Sequence, residues 1–189
     1  MSGTTAETGA FYVGGYAGTT TLWGKLLINN SGTLATSSSI NIGFNANQSG
    51  TVEVSGVGST WNTTGNLYVG NSGTGRLDIK SGAVVSVTGA SYVGGAGNGH
   101  GEVAITGGSW GMTGYLFIGG NSASSNASGL VTVTNGTLES QYMSIGNCAN
   151  GSPGSSGTLI VNSGGVVNTT QEINLVSCQN NSLHNSRDR

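Results

Sequence analysis

Two acidic residues, Glu53 and Asp78, are spaced so that they could form a carboxylate pair on the protein surface. Each is the middle residue of a short alternating segment, VEV around Glu53 and LDI around Asp78. If these segments are neighbouring strands, both carboxylates project outward on one face. A carboxylate pair can act as acid and base on a polysaccharide or hold a cation. The alternative is a solvated pair offset by Arg76 and Lys80, which we favour because the short neighbouring loops leave no cleft.

Cys148 and Cys178 form a second candidate pair. Each follows the last aliphatic residue of a strand-like segment by three positions, Ile145 for the first and Leu175 for the second. The shared phase predicts one column of adjacent coils, in which the Cα separation could fall in the range of about 4.4–6.8 Å that a disulfide requires. The pair is therefore either a disulfide that locks the C-terminal coil or two free thiols. Two cysteines are too few for a zinc site, so neither a metal nor a cofactor is predicted.

The other residues that could bind ligands are not expected to form binding sites. Trp61 and Trp110 fall at the same phase two coils apart, so they are either stacked sugar-binding aromatics or packing residues, and packing is favoured. His100 and His184 have no cysteine or carboxylate at a metal-ligand spacing. The glycine-rich loops lack the Lys-Ser or Lys-Thr of a phosphate-binding loop.

The composition narrows the class of protein. The chain has 189 residues, of which 36 are glycine and only 6% are charged, with a net charge of -2. This offers no basic surface for nucleic acid, and no apolar run approaches the ~20 residues that cross a bilayer, so neither partner is predicted. The N-terminal MSGTTAETGAF lacks the basic and apolar regions of a signal peptide, so we expect any export signal to lie outside this sequence.

An internal repeat organises the chain. One marker is the aliphatic residue that ends a short strand, usually before glycine, and its steps are 24–30 residues: Val13, Ile42, Val69, Val93, Ile118, Ile145 and Leu175. The second marker is the last inward residue of the alternating strand, with steps of 25–28 residues: Ile28, Val54, Ile79, Ile105, Val133 and Val161. Because two markers keep pace over six copies, the repeat is a structural unit whose variable residues fall in loops.

Three short strands separated by glycine turns in about 27 residues favour a parallel β-helix over a sandwich, which would need hairpin turns. We predict an all-β parallel β-helix, or β-solenoid, of six to seven coils with three short strands each, right-handed by general precedent. Residues 1–10 are expected to be an irregular lead-in, 11–176 the solenoid, and 177–189 an irregular tail. Trp23 is expected in a loop of the first coil.

Residues 58–89, GSTWNTTGNLYVGNSGTGRLDIKSGAVVSVTG, resemble the type V secretion and PEP-CTERM-associated repeat of bacterial autotransporter passengers and other surface proteins. The similar features are the alternating V-x-V strand, G-x-G-S-x-W, G-x-L-x-V-G and G-x-G-x-L-x-I, and the likeness extends over about residues 11–176. The resemblance implies an extracellular or surface-exposed β-solenoid, often a stalk or adhesin-like passenger, with no catalytic residues to carry over.

The function expected from these observations is a non-enzymatic, adhesin-like structural protein of a bacterial surface. A solenoid exposes unpaired strand edges at its two ends, and the sequence shows no amphipathic capping helix, so we expect stacking end to end into a filament. A glycan or another cell-surface ligand is the expected further partner. The alternative is a polysaccharide-binding or polysaccharide-degrading β-helix protein, which is an argument from the fold alone.

Overall fold

The computed structural model of the protein describes residues 5–7, 10–16, 21–120, 126–146 and 154–175, with only the backbone at 5–7. Within those residues there are 20 β-strands and no helix, and the strands form three sheets of parallel strands. Each turn of the chain contributes one strand to each sheet in the same order. The predicted all-β solenoid, with coils about 27 residues apart, is confirmed.

Sheet A has seven strands: β1 (Thr5–Glu7), β4 (Thr33–Thr36), β7 (Thr60–Thr63), β10 (Val84–Val87), β13 (Ser109–Met112), β16 (Thr137–Ser140) and β19 (Val166–Thr169). Sheet B also has seven: β2 (Phe11–Val13), β5 (Ile40–Ile42), β8 (Leu67–Val69), β11 (Ser91–Val93), β14 (Tyr115–Ile118), β17 (Tyr142–Ile145) and β20 (Ile173–Leu175). Sheet C has six: β3 (Leu22–Ile28), β6 (Gln48–Ser55), β9 (Thr74–Lys80), β12 (His100–Thr106), β15 (Ser128–Thr134) and β18 (Ser156–Val161).

The register of the sheets aligns the repeat markers. The first marker residues pair from coil to coil through all of sheet B, from Val13 to Leu175. The second marker residues pair in the same way through sheet C, from Ile28 to Val161. At ~4.8 Å per coil, seven rows of strands make a rod of about 30 Å.

The core is a set of aliphatic columns between the three sheets. Side chains alternate along each strand, so the inward residues of the middle coils are fully buried, as in β9 and β12. Trp61 and Trp110 fill the core on the side of sheet A, where Val85 lies between them in register. This confirms that the two tryptophans are packing residues.

Two features near the N-terminus differ in detail from the sequence pattern. Strand β1 lies within residues 1–10 and pairs with β4 in parallel register. Trp23 belongs to strand β3 and not to a loop, because β3 pairs with β6 from Leu22 onwards. Its side chain is 81% exposed, since it is an outward residue of that strand.

A seam of glycines joins sheet B to sheet C. One row follows the strands of sheet B, and it has positive φ throughout: Gly14, Gly43, Gly70, Gly94, Gly119 and Gly146. The other row is the third residue of β3 and β6 and the second residue of β9, β12, β15 and β18: Gly24, Gly50, Gly75, Gly101, Gly129 and Gly157. A Cβ on Gly101 would overlap the backbone carbonyl of Val69, and one on Gly70 would overlap that of His100. At this seam the backbones of successive coils therefore approach so closely that only glycine, which has no Cβ, fits.

Candidate functional site

The predicted carboxylate pair lies on the outer face of sheet C. The pairing of β6 with β9 sets Glu53 opposite Asp78. Glu53 Oε2 lies 3.3 Å from Lys80 Nζ and 3.9 Å from Lys25 Nζ. Asp78 accepts two hydrogen bonds from Arg76, at 2.8 Å from Nη2 and 3.1 Å from Nε. Each carboxylate is thus held by cations on its own face.

These contacts continue into a network of alternating charges. Arg76 Nη1 also lies 2.5 Å from Glu102 Oε1, because the register of β9 and β12 places the two residues side by side. Lys80 Nζ lies 3.7 Å from Asp78 Oδ2. The ion-pair network has three cations and three carboxylates: Lys25, Arg76, Lys80, Glu53, Asp78 and Glu102. The patch is therefore electrically neutral.

Asp78 is the most buried member of the ion-pair network. Its side chain is only 8% exposed, whereas Arg76, which covers it, is 41% exposed. The hydrogen bonds that Arg76 donates to Asp78 raise the pKa of Arg76, against an opposing effect of partial burial and with a further contribution from Glu102. A buried carboxylate needs such a partner, since an unpaired charge away from water is costly. This arrangement neutralises the carboxylates and suits a structural role.

In the described ranges, no group of three or more His, Cys, Asp or Glu side chains lies close enough together to hold a metal ion. His100 is exposed, and its Nδ1 lies 2.6 Å from Ser128 Oγ in the neighbouring strand. Cys148, Cys178 and His184 lie outside the described residues, so the disulfide stays a prediction.

An aromatic ladder on the outer face of sheet B was not found by sequence reasoning. Tyr68, Tyr92 and Phe117 stack one above another. The first two ring centroids are 4.8 Å apart with planes 6° apart, and the next two are 5.1 Å apart with planes 10° apart. The signal was present in the sequence, because each aromatic residue immediately precedes a marker aliphatic residue, as in YVG, YVG and FIG. Burial, with a smaller electrostatic effect of Tyr68, raises the pKa of Tyr92.

The ladder ends on both sides where the same column carries other side chains. The column runs Tyr12, Asn41, Tyr68, Tyr92, Phe117, Ser144 and Asn174. Beyond Phe117, two further rings lie close by, Tyr115 and Tyr142. Together with Gln171 these three aromatic residues line an open cleft of about 350 Å³, which we call the aromatic cleft. Three of its four lining residues are aromatic.

A second hollow lies on the outer face of sheet A. It measures about 410 Å³, and its lining includes Glu139, Asn168 and Thr170. Asn168 Nδ2 donates to Glu139 Oε1 at 3.5 Å, and Gly111 leaves the adjoining surface without a side chain. Glu139 is the single carboxylate in the lining of this hollow, so the hollow lacks the second acid or base that hydrolysis of a glycan would need.

No helix in the described part of the chain is long and apolar enough to cross a membrane. Compared with known protein families, curated proteins and solved structures, the chain has no significant match.

Proposed function

We propose that the chain is a non-enzymatic, adhesin-like β-solenoid of a bacterial surface or secreted protein, which associates end to end through its open coils. The similarity of residues 58–89 to surface-protein repeats supports the location and the general role. The ion-pair network supports the absence of catalysis by Glu53 and Asp78, because each carboxylate is neutralised by a neighbouring cation. A uniform column structure is suited to a scaffold that displays its faces along an axis.

The observation that carries end-to-end association is the exposure of the last described coil. Leu175 is 76% exposed and Val161 is 49% exposed, whereas Ile118 and Val133, which lie in the same columns in earlier coils, are fully buried. Among the described residues, strands β18, β19 and β20 are the last strands of their sheets at this end. Apolar side chains beside unpaired backbone groups recruit further strands. A second copy that places its first coil on this end would cover the apolar side chains and pair with the edge strands. Further copies can add in the same way, because such a head-to-tail contact does not close into a ring.

Sedimentation velocity over a range of protein concentrations tests this association, with negative-stain electron microscopy of the same samples. The wild-type protein should show concentration-dependent growth and thin threads. The variant Val161→Lys/Leu175→Lys should remain a monomer, because charges at the open end oppose apolar contact and edge pairing. Val57→Lys is the matched control, since Val57 is 81% exposed in a turn away from the end. A wild-type monomer at high concentration would exclude end-to-end association.

Surface location is tested separately, by probing intact cells of the producing organism with an antibody against the solenoid. Labelling of intact cells, or recovery from the medium, is the expected result. Detection only after lysis would contradict an extracellular role.

Polysaccharide binding is the second candidate function, and one observation favours it. The aromatic cleft combines ring faces with hydroxyl and amide groups, which are the usual components of a small-molecule site. A degrading activity has no such support, because the cleft lining contains no carboxylate or other acid–base pair.

A further inference from the structure

Within the described residues, the aromatic ladder ends at Phe117. Phe117 packs one face against Tyr92, with centroids 5.1 Å apart. The next residue of the column is Ser144, which has no ring to continue the stack. The other face of Phe117 is therefore turned towards the coil of β17, where the aromatic cleft opens. At the other end of the ladder Tyr68 faces Asn41, whose side-chain oxygen accepts a hydrogen bond from Asn71, whereas the Phe117 end borders the aromatic cleft.

The walls of the cleft are fixed by contacts between the rings. Tyr115 packs edge to face against Phe117, with centroids 6.3 Å apart and planes at 70°. Tyr142 packs edge to face against Tyr115, at 5.7 Å and 87°. The register of β14 and β17 sets Tyr115 directly opposite Tyr142. Because each ring is held by a neighbour and by a strand, the cleft is largely formed before a ligand arrives.

The chemistry of the lining selects a neutral amphipathic ring. Three aromatic rings line the cleft, while the phenol groups of Tyr115 and Tyr142 and the amide of Gln171 supply donors and acceptors. None of the four lining residues is charged. A hexopyranose has a flat face of C–H groups and hydroxyl groups around its edge, so its two kinds of surface match the two kinds of lining.

Other ligand classes match the cleft less well. Anionic ligands find no cation there, since the three basic residues of the described ranges, Lys25, Arg76 and Lys80, all belong to the ion-pair network on sheet C. A quaternary ammonium ion is held between several ring faces, each within about 6 Å. The rings of the cleft instead contact one another edge to face, which leaves no enclosed space between their faces.

We propose that the aromatic cleft binds one neutral hexopyranose unit of a surface or matrix glycan, stacked on the face of Phe117 that is turned away from Tyr92 and hydrogen-bonded by Tyr115, Tyr142 and Gln171. This deepens the adhesin-like role and rests on it for the biological source of the glycan. One sugar on an open cleft binds weakly, with a Kd on the order of 1 mM. Copies stacked end to end would present the site repeatedly and raise the avidity for a long glycan.

Saturation-transfer NMR with the methyl glycosides of glucose, galactose, mannose and N-acetylglucosamine tests the site. At least one glycoside should bind, with the largest transfer to the protons of its apolar face. Phe117→Leu keeps apolar volume but removes the ring, and should weaken binding at least tenfold. Gln171→Ala removes only an amide from the rim and should weaken it severalfold without altering the fold. Tyr68→Leu, a change of the same kind in the same column, is the control and should bind like wild type.

The proposal is overturned if none of the four glycosides binds, if Tyr68→Leu weakens binding as much as Phe117→Leu, or if tetramethylammonium binds and displaces the sugar. Sedimentation of the same samples measures end-to-end association separately from sugar binding. Loss of sugar binding with normal assembly would reject the cleft alone, whereas sugar binding by a strict monomer would reject assembly alone.

Discussion

Replacing Gly101 with alanine tests whether the glycine seam holds successive coils together. An added Cβ at this position would overlap the carbonyl oxygen of Val69 and the amide nitrogen of Gly94. Both are backbone atoms, and both take part in the hydrogen bond from Gly94 N to Val69 O at 2.9 Å. Neither can rotate away as a side chain could, so the two coils must separate or the strand must shift.

The expected cost lies at the upper end of the range for overpacking, about 3 kcal/mol, because the overlap is with backbone on two sides. For a domain of this size each kcal/mol lowers the melting temperature by about 2–4 °C, so Gly101→Ala should melt about 6–12 °C below wild type. The change adds only one methyl group. Its effect therefore reports the closeness of the backbones and little else.

Gly111 provides a matched control in the next strand of the same coil. An added Cβ there would have no atom within 4 Å, and its φ is not positive. Gly111→Ala should therefore be neutral or stabilise the protein by about 0.4–1 kcal/mol, through reduced freedom of the unfolded chain. Thermal and urea unfolding followed by far-ultraviolet circular dichroism would compare the two variants. If both variants melt at the same temperature, the seam does not act as described.

Three further substitutions test the core, the ion-pair network and the aromatic ladder. Trp110→Ala should lower the free energy of unfolding by about 3–5 kcal/mol in urea titrations, because it empties a fully buried site, and a loss below about 1 kcal/mol would contradict this packing. Arg76→Gln should cost about 1–2 kcal/mol, since Asp78 loses charged donors while nearly buried; strict additivity with Asp78→Asn in a double-mutant cycle would show that the two side chains do not interact. The raised pKa of Tyr92 means that the unfolded chain ionises first, so the stabilising effect of the protonated form is complete below about pH 10 and is lost as the pH rises through the folded pKa. Wild type should therefore lose stability more steeply than Tyr92→Phe on titration from pH 9 to 11, and parallel curves would refute the assignment.

The sequence was sufficient for the fold because the repeat carries its own register. The marker columns from Val13 and Ile28 could be aligned by eye, and a parallel solenoid places aligned residues in contact. The position of Glu53 beside Asp78 came from the same phase. Trp23 was misplaced because the strand was expected to begin near Leu26, whereas pairing with β6 extends β3 back to Leu22.

The aromatic cleft was less accessible to sequence reasoning. The ladder residues Tyr68, Tyr92 and Phe117 recur at a regular spacing in the sequence. The cleft instead forms beside Ser144, where the column has no ring after Phe117. Gln171 reaches it from the following coil. A repeat predicts what recurs, and this site is formed where the recurrence stops. The depth of Asp78 beneath Arg76 likewise depends on side-chain geometry that alternation alone does not specify.

The glycine seam also determines where the protein can change its length. Each loop from sheet B to sheet C starts and finishes at a pair of seam glycines, and four residues separate Gly70 from Gly75 whereas ten separate Gly146 from Gly157. Because both ends of these loops are held by backbone contacts, the loops differ in length while the strands keep their register. The loops along the seam are therefore sites at which the chain accepts insertions. A foreign peptide inserted between Gly119 and Gly129 could be displayed while the strands of that coil keep their structure.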